Sequence, residues 1–205
     1  RTASRHLKNA RKYELVDTSL ISVDYESKQD ILDGIKGTKC FIPIVKGGGI
    51  KYFKPDMWYM DWGVEAVNDY KTNKKARFQN RQFYFKYGIG VPMVSSSRIT
   101  ASIIENRLFD QSIVGVFPKD TKWTHYLLTL FNSTTCNKLI RTINPSANNP
   151  ANYIKKIPFI APAGRQLEHI NGMVREIIED ARAGKRYPRQ YEAGLGRLIA
   201  DLYGF

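Results

Sequence analysis

The spacing of apolar residues changes about halfway along the chain. Before Pro118 they form short β-rich runs bounded by Gly and Pro, a pattern typical of strands. The predicted strands are residues 40–45, 50–53, 57–62, 83–87, 103–109 and 112–117. Pro43 predicts an edge strand or a strand start, and Gly47–Gly49 predicts a hairpin turn between the first two runs.

After Pro118 the apolar residues follow helical spacing. The predicted helices cover residues 123–131, 135–143, 166–183 and 189–203. One face of the third helix is an apolar stripe, which predicts that the C-terminal helices pack on the domain. Its members are Leu167, Ile170, Val174, Ile177 and Ile178. Together the two patterns predict an α+β fold, with a mixed β-sheet, a helical second half and two C-terminal helices.

Positive charge is concentrated in two windows that contain no Asp or Glu. The formal net charge is +13. Residues 70–104 carry seven Lys or Arg and residues 121–167 carry six, so these windows account for the whole excess. Basic side chains without neighbouring acids are typical of surfaces that bind the phosphate backbone of nucleic acids.

The sequence lacks motifs for catalysis or metal binding. Lys46–Gly49 is not a complete phosphate-binding loop, and Gly88–Gly90 leads into Val-Pro instead of a helix. The three His residues have no partners at zinc spacing, and the two Cys residues are expected to be reduced. No apolar run approaches the ~20 residues of a membrane span, and no signal peptide is recognisable, so we expect a cytoplasmic protein.

Residues 76–87 interleave polar side chains with aromatic ones. Arg can bind guanine bidentately in the major groove, and Asn or Gln can bind adenine. If this segment is a strand, its aromatic residues fix the direction of the polar ones, so at least one of Arg77, Asn80 and Arg81 should read a base. The flexible lysines just before it should contact phosphates. The candidate DNA-binding residues of the whole chain are Lys46, Lys51, Lys71, Lys74, Lys75, Arg77, Gln79, Asn80, Arg81, Lys86, Ser97, Arg98, Asn148, Asn149, Lys155 and Lys156.

Several motifs occur in an order that resembles a known family. They are F-I-P-I-V-K-G-G at 41–48, W-Y-M-D-W at 58–62, S-S-R at 96–98, F-D-Q-S-I-V-G-V-F at 109–117, L-T-L-F-N-S at 128–133 and I-N-P-S-A-N-N at 143–149. In this order they resemble the C-terminal target recognition domain of type II (IIG-like) adenine-specific DNA methyltransferases of restriction–modification systems, the TaqI-like specificity domain. Residues 152–175 also resemble the end of a recognition domain in type I specificity subunits.

The resemblance implies that this chain reads duplex DNA while a separate N-terminal domain methylates adenine at N6 with S-adenosylmethionine. The family's Asn/Asp-Pro-Pro-Tyr/Phe motif is absent, since Asn144–Ala147 and Asn149–Asn152 lack the second Pro and the aromatic residue. The chain itself is therefore expected to be no enzyme and to hold neither that cofactor nor a metal. The predicted parts are an entry arm or linker at 1–37, the recognition domain at 38–163 and a packed helical tail at 164–205.

Three alternatives remain open at this point. The first is a sequence-neutral nucleic-acid binder that stacks bases on aromatic rings. Its stacking residues would be Trp62, Phe78 and Tyr84. The second is a metal-dependent nuclease, with a carboxylate cluster made of Asp56, Asp61 and Glu65. The third is a protein–protein module whose basic windows are only solvated faces.

Overall fold

The structure, a computed structural model, describes residues 2–4, 13–22, 30–76, 78–95 and 98–205. Its strands are β1 (Thr2–Ser4), β2 (Tyr13–Leu15), β3 (Phe41–Val45), β4 (Trp58–Asp61), β5 (Gly88–Pro92), β6 (Ser102–Ile104), β7 (Leu108–Phe109) and β8 (Ile113–Val116). Its α-helices are α1 (Val64–Thr72), α2 (Thr124–Asn132), α3 (Thr134–Ile143), α4 (Ala151–Ile154), α5 (Gly164–Arg182) and α6 (Arg189–Tyr203). These helices and mixed sheets confirm the predicted α+β class. None of the helices described is long and apolar enough to cross a bilayer.

The first of two compact units contains the described residues of Arg1–Lys46, Asp56–Lys86 and Ile104–Asp110. Its sheet has the strand order β2-β1-β4-β3-β7, with β3 antiparallel to β4 and parallel to β7. Strands β1 and β2, which lie within the predicted entry arm, pair in this sheet. Every residue of β3 is buried, and the strand lies between β4 and β7 in the sheet.

The second unit contains Gly47–Pro55, Tyr87–Ile103 and Gln111–Phe205. A three-stranded sheet in the order β6-β5-β8 contributes to its core together with α2, α5 and α6. The apolar stripe of α5 faces this core, with four of its members buried and Leu167 half-buried. Each fully buried aliphatic side chain contributes about 1.5–3 kcal/mol, which explains why the helical tail belongs to this unit.

Three local predictions from the sequence are wrong. Residues 83–87 are not a strand, because a 3₁₀ turn at Arg81–Phe83 and a positive φ of 61° at Phe85 interrupt an extended path. The predicted hairpin does not form, because β3 pairs with β4 and β7 while Tyr52 bridges Ser102. Pro43 does not mark an edge strand. It precedes the two residues that pair with β7, so its missing N–H removes nothing from that ladder.

Helix α1 was not predicted from the sequence. Its nine residues bury only Val67 and Tyr70, so the apolar pattern is too short to distinguish from a loop. The remaining long helices begin and end within two residues of the predicted positions. Their apolar stripes are longer, so the period of 3.6 residues is easier to recognise.

Candidate nucleic-acid interface

Two asparagines of the second unit fix the backbone on which Arg98 is carried. The Asn132 amide accepts a hydrogen bond from Ala101 N (2.8 Å) and donates one to Ala101 O (2.9 Å). Asn137 Oδ1 accepts from Ile99 N at 2.8 Å. Since Ile99 and Ala101 are completely buried, the exposed Arg98 stands at the end of a firmly held segment. The L-T-L-F-N-S motif at 128–133 is one of the motifs that carry the resemblance. Its Asn132 thus has a structural role in this fold.

The loop of residues 144–149 is closed by its own side chains. Asn144 Nδ2 donates to Asn148 O at 2.6 Å. Asn144 Oδ1 accepts from the backbone N–H of Ser146 at 3.2 Å and from its hydroxyl at 2.9 Å. Side chains of Asn and Ser that bond to nearby backbone groups in this way favour compact turns. The N-P-S-A-N-N sequence therefore presents a defined surface instead of an open loop.

This loop is joined to residues 93–95, about fifty positions earlier in the chain. Ser95 N donates to Ala147 O at 2.9 Å, and Asn149 N donates to Met93 O at 2.5 Å. Val94 and Asn148 form an antiparallel bridge between these bonds. The junction brings an acid-free segment near Arg98 beside the acid-free loop, an arrangement that no local pattern in the sequence predicts.

Four exposed residues in these segments, or next to them along the chain, are predicted DNA contacts: Arg98, Asn148, Lys155 and Lys156. We call these four residues the basic junction. Among the described residues none of its three cations forms an ion pair with a carboxylate, although Lys156 lies 5.4 Å from the centre of the Tyr153 ring. Unpaired cations on a surface attract a phosphate backbone most effectively when no acid competes for them.

Asn149 does not belong to this surface, which corrects its prediction as a DNA contact. Its side chain is 0% exposed. Asn149 Nδ2 donates to Ala147 O at 3.2 Å, and Oδ1 has no hydrogen-bond partner among the described residues. The residue therefore acts through its backbone, in the junction with Met93. Ser97, another predicted contact, lies outside the described residues.

In the first unit, Arg81 is bound internally instead of projecting from a strand. Its Nη2 donates to Asp33 Oδ1 and to Leu32 O, both at 2.9 Å, and the guanidinium lies 5.1 Å from the Phe78 ring centre. Lys71 binds the same Asp33 oxygen at 2.7 Å. Hydrogen bonds from Lys71 and then Arg81 hold the pKa of Asp33 below its usual range. The alternation that predicted base reading by Arg81 does not exist, because the segment is a 3₁₀ turn.

Other predicted contacts of the first unit are accessible. Lys74, Lys75, Gln79, Asn80 and Lys86 are exposed. None of these three lysines pairs with a carboxylate among the described residues, and Lys86 lies 5.7 Å from the Phe83 ring centre.

The remaining predicted contacts differ in their surroundings. Lys46 is half-buried, 5.0 Å from the Trp58 ring centre. Lys51, in the second unit, forms an ion pair with Glu192. Arg77 lies outside the described residues.

The aromatic residues of the first unit form a core cluster. Trp62 is 1% exposed, and its Nε1 donates to Ile31 O at 2.5 Å. The Phe78 and Tyr84 rings are half-buried, with centres 5.7 and 5.9 Å from that of Trp62. Burial raises the pKa of Tyr84 to about 12, so its hydroxyl stays protonated and donates to Gln79 O at 2.8 Å. The rings therefore stabilise the unit by packing against one another, in tilted and edge-to-face pairs.

Two of the three carboxylates of the nuclease alternative, Asp56 and Asp61, have structural partners, and the third, Glu65, is exposed. Asp56 pairs with Arg107 at 3.1 Å. Asp61 Oδ1 accepts from Gly63 N at 3.0 Å and from Cys40 Sγ at 3.6 Å. Within the part of the chain that the structure describes, no group of three or more His, Cys, Asp or Glu residues could hold a metal ion.

Comparisons with known proteins add no relative. A scan against protein-family models matches no family, and a search of the curated proteins finds no match.

Proposed function

We propose that this chain is a recognition domain that binds duplex DNA at a specific short site. The observation that carries the proposal is the basic junction, where two acid-free segments distant in sequence are hydrogen-bonded together. Lys155 and Lys156 are suited to phosphates, which give affinity without sequence information. Arg98 and Asn148 have the side chains that pair with guanine and adenine edges. Both are carried on backbone held by hydrogen bonds, as base reading requires.

The proposed partner is a separate methyltransferase domain that acts on adenine N6. The order of the sequence motifs supports this partner through the resemblance to target recognition domains. S-adenosylmethionine would be bound by that partner domain, because this chain lacks both the Gly-rich cofactor loop and the Asn/Asp-Pro-Pro-Tyr/Phe motif. In this proposal the chain positions DNA, catalyses no step itself and works in the cytoplasm of a bacterium or archaeon.

A sequence-neutral binder remains the second candidate, but the geometry gives it less support. Such proteins stack bases on accessible aromatic rings. Trp62 is buried, and the rings of Phe78 and Tyr84 pack against it in the same cluster. Stacking on these three residues would require the core of the first unit to open.

The test measures binding of a mixed-sequence duplex across a salt series. Each lost phosphate contact lowers the slope of log K against log[salt] by about 0.9. The double variant Lys155→Ala/Lys156→Ala should therefore lower the slope by up to about 2. The matched control is Lys185→Ala/Arg186→Ala, which removes an exposed basic pair from the turn between α5 and α6. If the unaltered chain retains no duplex at low salt, or if both variants behave alike, the proposal is wrong.

A further inference from the structure

A cavity of about 330 Å³ lies in the second unit. Its wall is formed by Lys51 and Arg98, by the junction of α2 with α3, and by one face of α6. Its volume is at the lower end of the range in which proteins bind small groups, about 300–1,000 Å³.

The charged residues of this wall are predominantly positive. Lys51, Arg98 and Arg197 face one carboxylate, Glu192, which forms an ion pair with Lys51. Burial and then the Arg98 charge lower the pKa of Lys51. Arg98 and Arg197 have no carboxylate partner among the described residues. Holding three cations around one cavity is unfavourable unless an anion enters it.

Most of the uncharged polar side chains of the wall form hydrogen bonds within the protein. The Asn132 amide holds Ala101, and the Ser133 hydroxyl donates to Leu130 O at 2.7 Å and accepts from Cys136 N at 3.0 Å. Thr134 is exposed at the first turn of α3, where backbone N–H groups lack intrahelical partners. The positive end of the α3 dipole adds to the attraction that the three cations exert on an anion. The three cations alone are sufficient to support an anion site.

We propose that this cavity binds a phosphate group of the DNA backbone through Lys51 and Arg197, while the neighbouring Arg98 adds positive charge to the wall and is left to read a base. The inference rests on the proposed function and extends it, because Arg197 brings the C-terminal helix α6 into the DNA footprint. The sequence predicts that this helix only packs on the domain. An entering phosphate competes with Glu192 for Lys51, so Glu192 limits the affinity of the site.

The first experiment measures binding of a mixed-sequence duplex in a salt series. Arg197→Gln should lower the salt slope by about 0.9, equivalent to roughly eightfold weaker binding near 0.1 M salt. Arg189→Gln is the matched control, since Arg189 is an exposed arginine of α6 outside the cavity wall. Glu192→Gln should have the opposite effect and tighten binding severalfold. All three positions are at least partly exposed, so thermal melting should show that the fold is retained.

The second experiment titrates inorganic phosphate and follows the amide resonance of Thr134. We expect a saturable shift that Arg197→Gln abolishes and Arg189→Gln leaves intact. If the shift behaves in this way but Arg197→Gln has no effect on DNA, the cavity is a site for free phosphate and the backbone contact is refuted. If the chain binds DNA but Arg197→Gln and Arg189→Gln give the same salt slope and the same phosphate-induced shift, the cavity proposal fails and the proposed function survives. If no DNA is bound at all, the proposed function fails together with the backbone contact.

Discussion

Replacing Asn132 by Ala should destabilise the second unit, because the amide supports a buried segment of backbone. Asn132 is 6% exposed and Ala101 is 0% exposed. Without the amide, Ala101 N has no acceptor, whereas Ala101 O still accepts from Tyr52 N at 2.8 Å. An unsatisfied buried N–H costs about 1–3 kcal/mol, and the lost bonds to Ala101 O and Leu128 O add roughly 1 kcal/mol. The expected loss of unfolding free energy is therefore about 2–4 kcal/mol.

Urea unfolding monitored by circular dichroism measures this loss directly. With a slope of about 2 kcal/mol per molar urea, the midpoint should fall by about 1–2 M. Asn152→Ala is the control, since Asn152 is exposed on α4, and it should change stability by less than about 0.5 kcal/mol. If both variants unfold at the same urea concentration, the amide of Asn132 does not hold this backbone as described.

Three further outcomes are expected. Replacing Lys74 and Lys75 by Ala should weaken binding to all duplexes alike and lower the salt slope by about 1 per lost contact, whereas a sequence-dependent loss would contradict their role as phosphate contacts. Asp33→Asn should release its two cationic partners and tighten DNA binding without changing sequence preference; unchanged affinity would show that the released cations do not reach DNA. Burial, followed by a nearby guanidinium, lowers the pKa of His125, so the folded state resists its protonation. Unfolding free energy should thus fall as pH drops below about 6.5, and His125→Gln should flatten that dependence in denaturant titrations between about pH 7 and 5.

The sequence predicts the helical half well and the connections of the β-rich half poorly. Helix α5 repeats its apolar spacing over about three turns, from Leu167 to Ile178, so local periodicity is sufficient to identify it. In residues 83–87 the alternation of aromatic residues resembles a strand, but Phe85 has a positive φ and packs into a cluster around Trp62. Such clusters are set by tertiary contacts, which override local β-propensity.

The candidate interface was only partly predictable for the same reason. Charge composition identifies Arg98, Lys155 and Lys156 as basic residues in acid-free windows. That Asn148 joins Val94 depends on backbone hydrogen bonds between distant segments, which leave no pattern in either segment alone. The ion pair of Arg81 with Asp33 is also a tertiary contact. Because of this ion pair, the Arg81 side chain is not free to read a base.

Selection from a randomised duplex library tests the central claim most directly. The 205-residue chain is incubated with the library at moderate salt, and the retained duplexes are sequenced beside the input. A domain that reads bases through the basic junction should enrich one short motif, because each good bidentate pair discriminates by about 1–3 kcal/mol. The double variant Arg98→Ala/Asn148→Ala should retain DNA but lose the motif. Retained duplexes with the same sequence distribution as the input would contradict sequence-specific recognition by this chain.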